Sequence, residues 1–182
     1  MSLREAWRVF VLRLGHRIER DKRITTHVFL VARAFGAQGA FYSGQRDEKV
    51  EESVRKVVEM WGGSFRVEYV KNWVEKMKQW RKNGGEIIHL TMYGLPLDEV
   101  IDRIRESRRD KLVIVGSEKV PRLVYEIADW NVSVTSQPHS EVGALSVFLH
   151  ELHMGRELKR EFENAKIKVI PQAKGKKIMR LP

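Results

Sequence analysis

This chain predicts an α/β fold on a parallel sheet, and three observations carry that expectation. Short apolar runs of strand length alternate with segments of helical period as far as Leu152, six of each. Two of the runs, Leu112 to Val115 and Val132 to Val134, end in small and polar residues: Gly116, and then Thr135-Ser136-Gln137-Pro138-His139. A helix with Val142, Leu145, Leu149 and Leu152 on one face follows, so the pattern describes a small-molecule pocket at the carboxyl edge of the sheet. The third observation is length: 182 residues make one domain with a full core.

Val9 to Leu14 reads as the first strand. Thr25 or Thr26 can cap the next helix, since a threonine hydroxyl accepts from the free N–H groups of a first turn. That helix turns Val28, Val31, Ala32 and Phe35 to one side and ends at Gly36. Ala40 to Tyr42 is a short strand, and Asp47 to Trp61 a helix stopped by Gly62-Gly63. Phe65 to Val70 alternates as a strand does, and Asn72 caps a helix presenting Trp73, Met77 and Trp80. After the turn Asn83-Gly84-Gly85 come a strand, Glu86 to Leu90, the loop Thr91 to Pro96, and a helix lined by Leu97, Val100, Ile101 and Ile104. The tail departs from this alternation. Lys166 to Ile170 and Lys177 to Leu181 flank Gln172-Ala173-Lys174-Gly175 and predict a β-hairpin. The expected division is a domain over 1–163 and a basic extension over 164–182.

The chain carries 34 Lys and Arg against 24 Asp and Glu, a net charge of +10. The excess is uneven: Arg156 to Pro182 holds nine basic residues against three acidic, and Arg13 to Arg23 five against two. Such clusters predict a polyanionic partner, with nucleic acid the usual one. There is no cysteine, no apolar run near the roughly 20 residues of a membrane span, and no apolar signal region at the start. A cytoplasmic protein fits these features, and the Lys, Arg and Glu content suits a thermophile.

The P-loop, dinucleotide and nucleophile-elbow motifs are missing. His150 and His153 have metal-ligand spacing but no evident third ligand, so no metal is expected. Trp73, Met77 and Trp80 can form a base-stacking stripe, although large apolar residues at helical spacing more often belong to a core or a dimer contact.

Three segments carry a resemblance: LRLGHRIERDKRITTHVFLVARAFGA from Leu12, VIVGSEKVPRLVYEIADWNVSV from Val113, and TSQPHSEVGALSVFLHEL from Thr135. Together they resemble the archaeal tRNA cytidine-56 2′-O-methyltransferase family of the SPOUT superfamily, over nearly the whole chain. The resemblance implies a parallel-sheet SPOUT fold with a deep C-terminal trefoil knot, a homodimer, and tRNA as substrate. It implies S-adenosylmethionine as cofactor, held by Leu90, Thr91 and Gly94, by Gly116, Ser117, Glu118, Lys119 and Val120, and by Thr135, Ser136, Gln137, Pro138, His139, Ser140 and Val142. Small residues at strand ends let the main chain approach an adenine, and Leu90, Val120 and Val142 can sandwich the ring. Two rival readings keep the same basic surface: a SPOUT methyltransferase acting on another tRNA or rRNA nucleotide, and a non-catalytic RNA-binding domain.

Related SPOUT ribose methyltransferases carry a catalytic arginine in the pattern N-x-x-A-x-x-R-T-A-x-A-F-G. Aligned on Ala32-Arg33-Ala34-Phe35-Gly36, that arginine falls on Leu30 and the asparagine on Ile24, so the chain departs from the pattern. The role passes to Arg23 and then Arg20, as groups that fix the target phosphate or ribose and stabilise a developing alkoxide. His16, His27 and His139 are the alternatives for a conventional base, with His27 placed in a helical first turn. RNA is expected to lie over Arg13, Arg17 and Lys22, and over Lys174, Lys176 and Lys177 of the tail.

Overall fold

The computed structural model describes residues 7–116 and 119–182. Its elements are β1 (Val9–His16), α1 (Ile18–Ala34), β2 (Gly39–Gly44), α2 (Glu48–Trp61), β3 (Arg66–Tyr69), α3 (Trp73–Lys82), β4 (Glu86–Pro96), α4 (Leu97–Glu106), β5 (Lys111–Val115), α5 (Arg122–Ile127), β6 (Trp130–Ser133) and α6 (Glu141–His153). A 3-10 turn, Arg156–Lys159, leads to the hairpin β7 (Ile167–Val169) and β8 (Ile178–Arg180).

The first six strands form one parallel sheet in the order β3-β2-β1-β5-β4-β6. Both faces are covered, so β5 is buried at all five positions, and each fully buried Val, Leu or Ile stabilises by roughly 1.5–3 kcal/mol. Helices α1, α2, α4 and α6 pack on one face, around Val11, Val28, Phe29, Val54, Ile101, Val113, Leu145 and Phe148. On the other face α3 and α5 cover Leu12, Ile87, Leu112 and Ile114, with Met77 buried and Trp73 and Trp80 packed beside it. The tryptophan–methionine stripe is therefore core packing, and the Trp80 indole N–H donates to the Asp110 carbonyl at 3.3 Å. Crossovers on the first face step toward β3 and those on the second toward β6, so all five share one hand.

Two elements differ from the sequence reading. Helix α1 begins at Ile18, almost two turns before Thr25. Its first turns are polar, which hides them from an apolar period; they are held by Asp21, whose carboxylate accepts from the Arg17 backbone N–H at 3.0 Å and its Nε at 2.9 Å. Strand β4 runs past Leu90 to Pro96 and meets β6 twice, with both Leu90 and Leu95 in register with Val132. The excursion between them needs Gly94, since a Cβ there would lie 2.4 Å from the Asn131 carbonyl carbon. The β7–β8 hairpin forms its own antiparallel pair beside α2, where the Lys166 N–H donates to the Met60 carbonyl at 2.9 Å. Among the described residues, no helix is long and apolar enough to cross a membrane.

Candidate active site

In a parallel sheet all carboxyl ends share one edge, and the order β1-β5-β4-β6 lines up four of them. The 90–94 excursion of β4 and the loops after β5 and β6 therefore lie along one edge, which the first turns of α1 share. Sequence-predicted positions 90–94, 116–120 and 135–142 are brought to one edge in this way, although Ser117 and Glu118 lie outside the described residues.

In the first loop Leu90 is buried, and the Thr91 hydroxyl accepts from the Tyr93 N–H at 3.3 Å while sharing a hydrogen bond with the Tyr125 hydroxyl at 2.9 Å. In the second, a Cβ at Gly116 would meet the Val120 side chain at 2.1 Å, so only glycine lets Val120 fold back over the strand end. Lys119 is exposed and Val120 half-buried. In the third, Thr135, Ser136, Gln137, Pro138, His139 and Ser140 are all exposed. Thr135 Oγ1 accepts from the Gln137 N–H at 3.3 Å, and the Gln137 carbonyl accepts from His139 Nδ1 at 2.6 Å. Ser140 caps α6 by accepting from the Val142 N–H at 3.2 Å, and Val142 packs on the core cluster that contains Leu90. The edge thus offers exposed polar residues above an apolar floor.

The basic residues divide. Arg20, Lys22 and Arg23 are exposed on the first two turns of α1, and Arg17 is half-buried in its pair with Asp21. That pair holds the Asp21 carboxyl below the usual range, first through the Arg17 hydrogen bond and against the upward push of burial. Arg13, expected on the RNA-facing surface, is instead 1% exposed. The strand alternation turns it toward α1 and α6, where it donates to the Leu14 carbonyl at 3.1 Å and to Glu141 Oε1 at 3.0 Å. Burial pushes its pKa down, opposed by Glu141 and Asp21. Arg13 therefore ties the end of β1 to the first residue of α6 rather than meeting a phosphate. Lys174, Lys176 and Lys177 are exposed between the hairpin strands.

Of the three histidines considered as bases, His16 is enclosed: Nδ1 contacts Thr25 Oγ1 at 2.7 Å and Nε2 contacts Asp47 Oδ2 at 3.2 Å. His27 is exposed but lies in the third turn of α1, beyond the reach of the helix terminus that a later start would have given it. His139 is exposed in the third loop, and donation from Nδ1 to a carbonyl leaves Nε2 as the acceptor of the neutral ring. His150 is bonded to Glu157 Oε1 at 2.6 Å and His153 is buried; among the described residues no three His, Cys, Asp or Glu side chains gather as a metal site. Sequence reasoning passed over Glu141, His89, Tyr125 and Asn131. Only Glu141 left a signal, following Ser140 within the Q-P-H-S-E-V run.

This sheet, with polar loops grouped at one carboxyl edge, is the fold of the SpoU-type RNA methyltransferases. It superposes on the Aquifex aeolicus TrmH/SpoU tRNA modifying enzyme with a TM-score of 0.59 at 19% identity, over 83% of this chain and 76% of that one. It also superposes on the SpoU methyltransferase AviRb from Streptomyces viridochromogenes, solved in complex with AdoMet, with a TM-score of 0.59 at 18% identity, over 87% of this chain and 61% of that one. The chain belongs to the tRNA ribose 2′-O-methyltransferase (aTrm56) family, whose sequence profile matches residues 61–179. It is 58% identical over 174 residues to the tRNA (cytidine(56)-2′-O)-methyltransferase of Methanopyrus kandleri, covering 96% of this chain and 97% of that protein. It is 54% identical to that of Thermococcus kodakarensis, covering 95% and 97%.

Proposed function

We propose that this protein transfers the methyl group of S-adenosylmethionine to the ribose 2′-hydroxyl of cytidine 56 in the tRNA T loop. The observation that supports this best is the juxtaposition of three loops, 90–94, 116–120 and 135–142, with the arginine-rich start of α1 at one sheet edge. Glycines at 94 and 116 allow close approaches, Leu90 and Val142 share one apolar cluster, and residues 135–140 are exposed. That combination suits a nucleoside, whose ring needs an apolar seat and whose edge needs main-chain partners. When bound, S-adenosylmethionine supplies an electrophilic methyl on a positively charged sulfur.

The chain's own residues do the remaining work. Arg20 and Arg23 stand three apart, on one face of α1. Their guanidiniums are planar, forked donors that grip a phosphate or ribose and stabilise the alkoxide as it develops. His139 Nε2 accepts the hydroxyl proton. Lys22 and Arg17 extend the basic strip, and residues 164–182, with Lys174, Lys176 and Lys177, form an extension that grips the tRNA backbone. A second copy of the chain covers exposed Val147, Met154 and Leu158. The protein works where tRNA is processed, in the cytoplasm.

The test is methyl transfer from labelled S-adenosylmethionine to an unmodified tRNA transcript, mapped by nucleotide. A single 2′-O-methylcytidine at position 56 is expected, and product at another nucleotide overturns the target. Arg23→Ala should lower kcat at least 100-fold, roughly the effect of losing one preorganised transition-state donor, with S-adenosylmethionine affinity unchanged. Parallel loss of both would make Arg23 structural.

A further inference from the structure

Beneath the three loops runs a chain of polar groups, His89 buried and Asn131, Tyr125 and Thr91 half-buried, that links the cofactor-site residue Thr91 to the sheet. His89 lies on β4 one residue before Leu90, fully buried on the α5 side of the sheet. Its neighbour Asn131, on β6, has its orientation dictated by chemistry. Asn131 Nδ2 donates to the Tyr125 carbonyl at 3.0 Å, so Oδ1 is the atom facing His89 Nδ1 at 2.9 Å. An amide oxygen only accepts, hence the proton sits on Nδ1 of His89. The Tyr125 ring meets the His89 ring edge-on, with centroids 4.7 Å apart and planes at 87°. From the far end of that ring the Tyr125 hydroxyl reaches Thr91 Oγ1 at 2.9 Å.

The chain His89–Asn131–Tyr125–Thr91 therefore crosses β4, α5 and β6, the elements that border all three loops. Tyr125 stands in α5, the helix that directly follows the second loop. Asn131 supports the first loop from below, since its main chain is the surface on which Gly94 rests. It also precedes the third loop along β6. Among the described residues His89 Nε2 has no hydrogen-bond partner, so the arrangement keeps a buried acceptor at a cost in stability. An apolar residue in place of His89 would avoid that cost. It would also remove the polar contact that fixes Asn131.

We infer that Tyr125 is a positioning residue of the cofactor site, holding Thr91 and with it the 91–94 loop in the conformation that receives S-adenosylmethionine. The inference rests on the proposed function and deepens it. Tyr125 acts through Thr91 and touches neither reacting atom. Without the hydroxyl, Thr91 keeps only its local turn contact with the Tyr93 N–H, and the loop samples conformations that must be reordered on binding.

The experiment compares full-length wild type, Tyr125→Phe, Thr91→Val and the double variant by calorimetry with S-adenosylmethionine, by steady-state kinetics and by thermal unfolding. Phenylalanine keeps the ring against His89, so Tm should match wild type. The Kd for S-adenosylmethionine should rise about tenfold, about 1.4 kcal/mol, with kcat at saturating cofactor within about twofold, as expected when only binding is weakened. In the Thr91→Val background, Tyr125→Phe should add little further loss, because both remove the same bond. An unchanged Kd in Tyr125→Phe overturns the inference. So does a fall in Tm that parallels the loss of affinity, or full additivity in the double variant. Wild-type protein that fails to bind S-adenosylmethionine overturns the functional reading itself, which separates the two failures.

Discussion

At the scale of single residues, the buried polar groups show how burial sets protonation. Lys111 is buried at the amino end of β5, beside Glu86 Oε2 at 3.2 Å and the carbonyls of Ser107 and Arg109 at 3.0 Å. Desolvation pushes its pKa down and Glu86, bonded to it away from the active edge, opposes the shift. His89 lacks such a counter-charge. Burial pushes its pKa below the ordinary value, with the Asn131 hydrogen bond a lesser opposing cause. Well above the ordinary histidine value of about 6.5 the ring is neutral in both folded and unfolded chains and has no effect on the pH dependence. As pH falls below that value, the unfolded ring takes a proton that the folded ring refuses. This one residue should then lower the unfolding free energy by up to about 1.4 kcal/mol per pH unit. Urea titrations between about pH 7 and pH 5 should show a flatter profile for His89→Phe than for wild type. Coincident slopes would mean the ring accepts its proton in the fold.

Among the elements, the hairpin and helix α1 carry most of the basic character. Both apolar clusters of the sheet are built from residues up to Leu152, so the β7–β8 hairpin contributes nothing to them. Its contacts are with α2 and its surroundings, through the Lys166 N–H to Met60 and the Gly63 N–H to the Glu163 carbonyl at 2.7 Å. Removing residues 166–182 should leave the sheet folded by circular dichroism. It should weaken tRNA binding about tenfold and reduce the slope of log affinity against log salt, since each lost phosphate contact removes roughly one released counterion. An unchanged salt slope would show that the tail does not meet the backbone. Helix α1 teaches a different lesson. Its polar first turns, which carry Arg20 and Arg23, are joined by the Arg17–Asp21 pair, a feature that an apolar period cannot register.

For the whole molecule, the issue is what covers the exposed apolar residues Val147, Met154 and Leu158, at 45%, 65% and 68% exposure, on and just after α6. Helix α6 packs beside α1 on the same face of the sheet, with its end at His153 against Gly36, so a second copy docked over Met154 and Leu158 would meet the C-terminal end of α1. Sedimentation should give a dimer for wild type and a monomer for Val147→Glu/Met154→Glu. Methyl transfer should fall in the monomer. A wild-type monomer with full activity would remove the second copy from the site.

Much of this protein was legible before any fold was drawn. The six alternating units, the glycine and polar strand ends and the basic clusters at residues 13–23 and 156–182 stand in the sequence, because periodicity and composition are local properties, and the family stands there as a resemblance of three segments. The start of α1 and the length of β4 were not legible, since polar helix turns and a strand that doubles back carry no apolar period. Nor was the fate of Arg13, which a charge count places on the surface and which pairing with Glu141, 128 residues away, buries. His16 likewise passes from candidate base to enclosed residue once Asp47 and Thr25 close around it. The sequence by itself determined the alternation of strands and helices, the polar segments that follow β5 and β6, and the net positive charge of the chain. The tertiary structure alone decided that β5 lies between β1 and β4, that three loops meet at one edge, and that Tyr125 stands over Thr91. Long-range strand pairing and side-chain packing set those outcomes, and neither leaves a trace in any local window of residues.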